Sequence, residues 1–204
     1  MSDSAASSLF DLNGKSALIT GATGALGYAA ARALGDAGAH LTLAGGNEER
    51  LAEIAGEFST AGIKVATVNE RPSDSTSCDR IVAGAVAAGG GLDIVVPASG
   101  VAAVKPALEM ELSVWDDVMD ANVRQVWLLC RSAGKTMIDQ GHGGKIILVS
   151  SVRGRLATSA GTSAYGPSKA AIDMLTRSLA MEWGRHGICV NAIAPTVFRS
   201  ELTA

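Results

Sequence analysis

The sequence predicts a single α/β domain built on a doubly wound, parallel β-sheet. Short apolar runs alternate with longer helical stretches along the whole chain. Most of these runs are almost continuously apolar, which is typical of parallel strands covered by helices on both faces. A length of 204 residues suits one domain with a sizeable core, and no linker or internal repeat divides the chain.

Six strands and five helices can be placed in order. Gly38 ends the first helix and the run 89–91, three glycines, ends the third. The strands are predicted at 15–20, 40–44, 63–68, 92–96, 145–150 and 188–193, and the helices at 24–37, 48–60, 75–88, 111–139 and 163–185. Ligands of such sheets bind beyond the carboxyl ends of the strands, so functional residues are expected directly after them.

Composition limits the classes of function. The formal net charge is −3 and no run of Lys or Arg occurs, which argues against nucleic acid or an anionic membrane as partner. The cysteines form no CxxC pair and the histidines lie far apart, so we expect neither disulfides nor a metal site. Residues 1–13 do not read as a signal peptide, and no apolar run could span a bilayer. These features predict a cytoplasmic protein.

A glycine-rich turn follows the first strand. Gly21, Gly24 and Gly27 occupy this turn, which leads directly into a helix. Glycines allow a tight turn and a close approach of backbone N–H groups to a pyrophosphate, and the helix N-terminus adds its positive dipole end. Glycine is also common in β–α turns for steric reasons alone, but the place after the first strand favours phosphate binding.

Tyr165 and Lys169 are one helical turn apart and share a helix face. A fixed ammonium group favours the phenolate form of a nearby tyrosine, which suits acid–base catalysis. The alternative is an ordinary surface pair on an amphipathic helix.

Ser150 and Ser151 end the fifth strand, where a hydroxyl could bind a substrate carbonyl or simply belong to a turn.

Together these residues resemble the short-chain dehydrogenase/reductase superfamily. The glycine loop, Ser151 and the run 165–169 (Tyr-Gly-Pro-Ser-Lys) occur in the family's order, joined by Asn122 and by the run 190–195. The resemblance covers residues 12–202 and implies an NAD(P)-binding Rossmann domain over 14–204, preceded by a flexible segment over 1–13.

The resemblance implies a catalytic role for four residues. Tyr165 would be the general acid/base, and Lys169 would favour its ionised form and bind the nicotinamide ribose. Ser151 would polarise the substrate carbonyl, and Asn122 would hold a water that connects Lys169 to solvent. The residues expected to contact the cofactor are Gly21, Thr23, Gly24, Leu26, Gly27, Asn47, Ala98, Gly100, Tyr165, Lys169, Pro195, Val197 and Ser200.

The sequence departs from the family pattern mainly on the adenine side. Ala25 stands where the loop usually has its middle glycine, and 97–100 reads Pro-Ala-Ser-Gly instead of Asn-Asn-Ala-Gly. Arg71 replaces the acid that usually contacts adenine, and Thr196 replaces the glycine that usually follows the proline. The four catalytic residues are unaffected.

The cofactor choice depends on the end of the second strand. An acid there binds the ribose hydroxyls of NAD and repels the 2′-phosphate of NADP. The run 44–47 (Ala-Gly-Gly-Asn) contains no acid, and Gly46 stands where NADP-dependent members often carry arginine. The sequence therefore favours NADP over NAD, with Asn47, Arg50 or Arg71 as candidate phosphate ligands.

Arg153 follows Ser151 and is a candidate for binding an anionic substrate, such as a sugar acid or a carrier-linked acyl group. The alternative is a solvated loop arginine. Helices 111–139 and 163–185 carry apolar residues on more than one face, so one face could cover the sheet and another a partner subunit. The resemblance implies a homodimer or homotetramer through these helices, and the alternative is packing within one subunit.

The family usually continues beyond residue 204 with a substrate cap and a seventh strand, which we expect this chain to lack.

The predicted function is hydride transfer between a nicotinamide cofactor and a ketone or secondary alcohol, as in 3-oxoacyl-carrier reductases or sugar and polyol dehydrogenases. The alternative is a non-catalytic dinucleotide-binding sensor or scaffold module.

Overall fold

The computed structural model describes residues 10–196 and confirms the predicted doubly wound sheet. All six strands are parallel and lie in the order β3-β2-β1-β4-β5-β6. They are β1 (Ser16–Thr20), β2 (His40–Ala44), β3 (Val65–Val68), β4 (Ile94–Pro97), β5 (Gly144–Val149) and β6 (Ile188–Ile193). The strand order reverses at β1, which pairs with both β2 and β4, so a crevice opens beyond the carboxyl ends of these strands.

Helices cover both faces of the sheet. They are α1 (Ala25–Asp36), α2 (Glu48–Thr60), α3 (Ser75–Gly89), α4 (Leu112–Met119), α5 (Gln125–Gln140) and α6 (Tyr165–Trp183). Buried residues of α1 and α2 form one core cluster with Ile19 and Leu43, whereas those of α3, α5 and α6 form a second cluster with Leu18 and Ile146. Neighbouring residues of β1 thus enter opposite cores, as the alternation of side chains in a strand requires. No helix of the described part is long and apolar enough to cross a membrane.

Two predicted strands begin too early, because a buried apolar residue precedes each of them. The backbone N–H of Ile63 donates to the carbonyl of Phe58 (2.9 Å) and so closes the end of α2 instead of pairing in β3. The backbone of Leu92 bonds to the side-chain amide of Gln140 through both its N–H (2.9 Å) and its carbonyl (3.0 Å). Both residues are buried without belonging to the sheet.

The helix predicted at 111–139 is divided by a π-helical turn, Asp120–Arg124, between α4 and α5. Its i→i+5 bond runs from the N–H of Gln125 to the carbonyl of Asp120. The turn carries Asn122 in a fully buried position. Single π-helical turns of this kind are frequent at functional sites.

Leu12, near the start of the described residues, already packs against the domain. Its N–H donates to the carbonyl of Ala37 (2.8 Å), and its side chain packs against the cluster under α1 and α2. Leu12 lies within the segment 1–13 that the sequence assigns as flexible; residues 1–9 lie outside the described part.

Two helical glycines allow a matched test of the packing of α5 on α6. Gly134 of α5 is buried, and a Cβ there would lie 2.6 Å from the Trp183 indole, whereas a Cβ on exposed Gly56 of α2 would meet nothing within 4 Å. Both alanine substitutions gain helix propensity, so Gly56→Ala should raise the free energy of unfolding by roughly 0.5–1 kcal/mol. Gly134→Ala should lower it by about 1–3 kcal/mol, because the indole must move.

Urea denaturation of the two variants and the parent chain measures both effects. Stabilisation by both substitutions would contradict the close contact between α5 and Trp183.

Candidate active site

The loop between β1 and α1 is shaped by its glycines. Gly21 has a φ of +67°, and a Cβ there would lie 2.6 Å from the backbone nitrogen of Ser99. A Cβ on Gly27 would overlap the carbonyl oxygen of Gly21. These two glycines are therefore required by packing within the protein, whether or not a ligand binds.

The start of α1 provides the feature that fits a phosphate. Gly24 is the N-cap residue, no side chain caps the helix, and its first turn contains no acid. By contrast, Asn47 caps α2 and Asp74 caps α3. The open backbone N–H groups of the first turn and the helix dipole suit the pyrophosphate of a dinucleotide.

Lys169 lies in α6, one turn after Tyr165, and its side chain is almost entirely buried. Only 5% of the residue is exposed, and its Nζ donates to the carbonyl of Val149 at the end of β5 (2.9 Å). Nζ lies 5.6 Å from the centre of the Tyr165 ring. Burial lowers the pKa of Lys169 from 10.5 to about 8, because desolvation disfavours the charged form.

The side-chain amide of Asn122 ties three segments together. Its Oδ1 accepts from the backbone N–H of Val101 (2.9 Å), and its Nδ2 donates to the Val101 carbonyl (2.9 Å) and to the hydroxyl of Ser168 (3.0 Å). The Ser168 hydroxyl in turn donates to the carbonyl of Tyr165 (2.7 Å). The π-helical turn, the segment after β4 and the first turn of α6 are thereby fixed relative to one another.

The two serines at the end of β5 have different environments. Ser150 Oγ donates to the carbonyl of Lys169 (3.2 Å), so its hydrogen is used inside the protein. Ser151 Oγ accepts from the backbone N–H of Arg153 (3.2 Å), which leaves its own hydrogen available to another acceptor. This difference favours Ser151 as the residue that could bind a carbonyl.

One cavity of about 140 Å³ at the carboxyl ends of β4 and β5 is lined by three of the four predicted catalytic residues and by several predicted cofactor residues. Ser151, Tyr165 and Lys169 line it together with segments that follow β1, β4 and β6. The predicted cofactor residues on its wall are Leu26, Ala98, Gly100, Tyr165, Lys169 and Pro195. Asn122 lies behind this wall: a Cβ on Gly100 would be 3.0 Å from Asn122 Oδ1 and 3.7 Å from Lys169 Nζ.

Other predicted residues lie elsewhere. Arg153 lines a separate groove of about 710 Å³ beside α6. Asn47 caps α2 at the end of β2, where Gly45 lies next to Thr23. Val197 and Ser200, which the sequence assigns to the cofactor, lie outside the described residues. Residues 10–196 contain no cluster of His, Cys, Asp or Glu that could hold a metal ion.

Sequence reasoning did not single out Ser168 or the backbone of Val101. Ser168 is fully buried on a helix and lies three residues after Tyr165. A small polar residue on the buried face of a helix is a signal that could have identified it, since buried hydroxyls need partners. No sequence pattern indicates the two backbone bonds of Val101.

A buried hydroxyl group at the end of β1 lies opposite one of the unusual residues. Thr20, at the end of β1, is 1% exposed, and its Oγ1 has no hydrogen-bond partner among the described residues. The residue facing it across the parallel β1–β4 ladder is Pro97, and the ladder bond to the Thr20 carbonyl comes from the N–H of Ala98 (3.1 Å).

Comparisons with known proteins agree with this geometry. The profile of the family described as short chain dehydrogenase matches residues 15–204. An uncharacterized oxidoreductase of Mycobacterium tuberculosis (strain ATCC 25618 / H37Rv) is 55% identical over 195 residues, which cover 95% of this chain and 71% of that protein. Gluconate 5-dehydrogenase of Gluconobacter oxydans (strain 621H) is 35% identical, with coverage of 96% and 75%.

A carrier-dependent reductase and a solved structure extend the comparison. The 3-oxoacyl-(acyl-carrier-protein) reductase of Rickettsia bellii (strain RML369-C) is 35% identical, with coverage of 96% of this chain and 77% of that protein. The crystal structure of a gluconate 5-dehydrogenase from Burkholderia cenocepacia J2315, in complex with NADP and tartrate, superimposes with a TM-score of 0.91 at 31% identity. That match covers 97% of this chain and 76% of the other.

The lowered pKa of Lys169 predicts a pH dependence of stability. Between pH 8 and 10.5 the unfolded chain keeps a proton at this lysine that the folded chain has lost. Stability linked to this group therefore rises with pH across that window. Relative to Lys169→Met, the parent chain should gain about 2 kcal/mol in free energy of unfolding between pH 7 and pH 10.

Urea denaturation of both proteins at the two pH values measures this gain. Groups common to both proteins cancel in the difference. A difference between parent and variant that stays constant with pH would show that Lys169 is not desolvated in the folded chain.

Proposed function

The chain belongs to the short-chain dehydrogenase family, and from this premise we propose that it transfers hydride between NAD(P) and a ketone/secondary alcohol pair. The observation that carries the proposal is the buried Lys169, one turn after Tyr165 and 5.6 Å from its ring, in a cavity that Ser151 also lines. A binding module without turnover would have no need for this combination. When bound, the nicotinamide supplies or accepts the hydride.

Each of the three side chains that line the cavity has a proposed role. In alcohol oxidation Tyr165 takes the hydroxyl proton, and in ketone reduction it gives the proton back. Ser151 donates its free hydroxyl hydrogen to the substrate oxygen, because its Oγ already accepts from Arg153. The almost entirely buried Lys169 ammonium group places a positive charge 5.6 Å from the centre of the Tyr165 ring, and its burial strengthens the electrostatic effect of that charge on the site.

Gly100 supports the proposed water relay. The Cβ position it leaves empty is close to both Asn122 Oδ1 and Lys169 Nζ, at 3.0 and 3.7 Å. Both amide hydrogens of Asn122 are already used, so a water would bind to the second lone pair of Oδ1 or to the backbone. Such a water would connect Lys169 to solvent.

Two substrate classes remain, sugar or polyol compounds and carrier-linked 3-oxoacyl groups. Gluconate 5-dehydrogenase and the 3-oxoacyl reductase are equally similar to this chain, at 35% identity. Arg153 favours an anionic substrate of either class. Its neighbour Arg155 is paired with Asp173 (3.2 Å), which leaves Arg153 as the better candidate for a substrate carboxylate or phosphate.

We also propose a homodimer or homotetramer through α4, α5 and α6. Trp115, Trp127 and Met174 on these helices are 39%, 44% and 56% exposed. Exposed apolar side chains of this size suit an interaction surface.

The two tyrosines of the chain provide a matched test of catalysis. Tyr165→Phe removes the proton-transferring oxygen and should lower kcat at least about 100-fold, with binding of NADPH little changed. Tyr28→Phe is the control, since the Tyr28 hydroxyl bonds to Glu57 at the surface of α1 and should be dispensable for turnover.

Steady-state rates and fluorescence titration with NADPH measure the two quantities. An unchanged rate in Tyr165→Phe would refute the mechanism. Cofactor binding by the parent chain without turnover on any ketone or alcohol would favour the non-catalytic module.

Arg153 can be tested with pairs of acidic and neutral ketones. Arg153→Ala should lower kcat/KM for the acidic member by about ten- to a hundred-fold, because a charge-assisted hydrogen bond is lost, and should leave the neutral member unaffected. Equal effects on both members would contradict the role in substrate selection.

A further inference from the structure

The ends of three strands meet beside the glycine loop. The backbone N–H of Gly21 donates to the carbonyl of Ala44 (3.0 Å), and that of Gly45 donates to the carbonyl of Val68 (3.3 Å). These bonds join the carboxyl ends of β1, β2 and β3 in the order in which the strands lie in the sheet. A residue that follows β3 can therefore reach the end of β2, where the adenosine half of a dinucleotide is bound in this fold.

The side chain of Arg71 extends to the end of β2 in this way. Arg71 follows β3 by three residues, and its side chain lies over Gly46, two residues after the end of β2. A Cβ on Gly46 would lie 3.0 Å from both Cγ and Cδ of Arg71, and still closer to its Nε. The guanidinium group thus occupies the space that a side chain at position 46 would need, so the glycine and the arginine form a complementary pair.

The charge of Arg71 is not neutralised within the described residues. No hydrogen bond or ion pair of Arg71 is present there, and the residue is exposed. The nearby acids have other partners: Glu70 pairs with Arg80, Glu48 accepts from Asn69 (3.0 Å), and Asp74 caps α3. The end of β2 itself carries no acid.

The other two candidates for a phosphate ligand are engaged elsewhere. Arg50 pairs with Glu53 through Nη1 (2.8 Å). The Asn47 carbonyl oxygen accepts from the backbone N–H of Arg50 (3.0 Å) to cap α2, which leaves only its neutral amide group for a ligand. Arg71 is therefore the cation best placed at this edge.

We infer that Arg71 binds the 2′-phosphate of NADP at the end of β2 and so determines a preference for NADP over NAD. The inference rests on the proposed function, because it requires a dinucleotide in the crevice. A guanidinium group binds a phosphate through two parallel N–H donors, whereas the corresponding hydroxyl of NAD offers neither charge nor this geometry. Gly46 contributes by leaving the space in which Arg71 lies.

Equilibrium titration of the 204-residue chain with NADPH and NADH tests the inference. Arg71→Ala should raise the Kd for NADPH by about ten- to a hundred-fold and change the Kd for NADH by less than about threefold, since one charge-assisted contact is removed. Arg50→Ala is the matched control, which removes a positive charge at the same edge and should leave the NADPH/NADH ratio unchanged. Circular dichroism checks that both variants, altered at exposed positions, remain folded.

The outcomes separate this inference from the proposed function. Binding of both cofactors with an NADPH/NADH ratio unaffected by Arg71→Ala would overturn the inference and leave the proposed function intact. Loss of the preference in Arg50→Ala, with Arg71→Ala unchanged, would assign the phosphate to Arg50 and also overturn it. Binding of neither cofactor by the parent chain would contradict both proposals.

Discussion

Burial of the Lys169 ammonium group is the constraint around which the catalytic end of the sheet is arranged. A cation removed from water needs a fixed acceptor, and the carbonyl of Val149 at the end of β5 provides one at 2.9 Å. Lys169 lies in the second turn of α6, which begins at Tyr165, and reaches the end of β5 from there. The remaining cost of desolvation appears as the lowered pKa of this lysine. Such a cost in stability is common where catalysis requires a buried charge.

Asn122 holds the surroundings of that charge in place. Its amide group joins the segment after β4, the π-helical turn and α6, which are distant in sequence and would otherwise be positioned only by apolar packing. Hydrogen bonds in a buried network are directional, whereas apolar contacts are not. The π-helical turn and the buried hydroxyl of Ser168 are therefore parts of the site, although neither is proposed to touch a substrate.

The sequence predicts what depends on local pattern. The apolar strands, the glycine loop and the Tyr165–Lys169 spacing can all be recognised within short segments of the chain. The alternation of apolar strands with helices predicts the fold class. The strands β3 and β4 are predicted to begin too early for a different reason. Ile63 and Leu92 are buried apolar residues and therefore look like strand residues, but their backbone groups bond outside the sheet. The contacts of Asn122 with Val101 and Ser168, and of Arg71 with Gly46, join residues 21 to 46 positions apart in the chain. Periodicity carries no information about them.

The unusual residues on the cofactor side are of two physical kinds. Pro97 faces Thr20 across the β1–β4 ladder, and the Thr20 hydroxyl remains buried without a partner among the described residues, which costs about 1–3 kcal/mol. Gly46 and Arg71 are instead matched in space, because the side chain of Arg71 fills the volume that Gly46 leaves free. The matched pair retains a positive charge at the end of β2, which is supplied by the loop after β3. This charge favours a site that still binds the adenosine end of a dinucleotide.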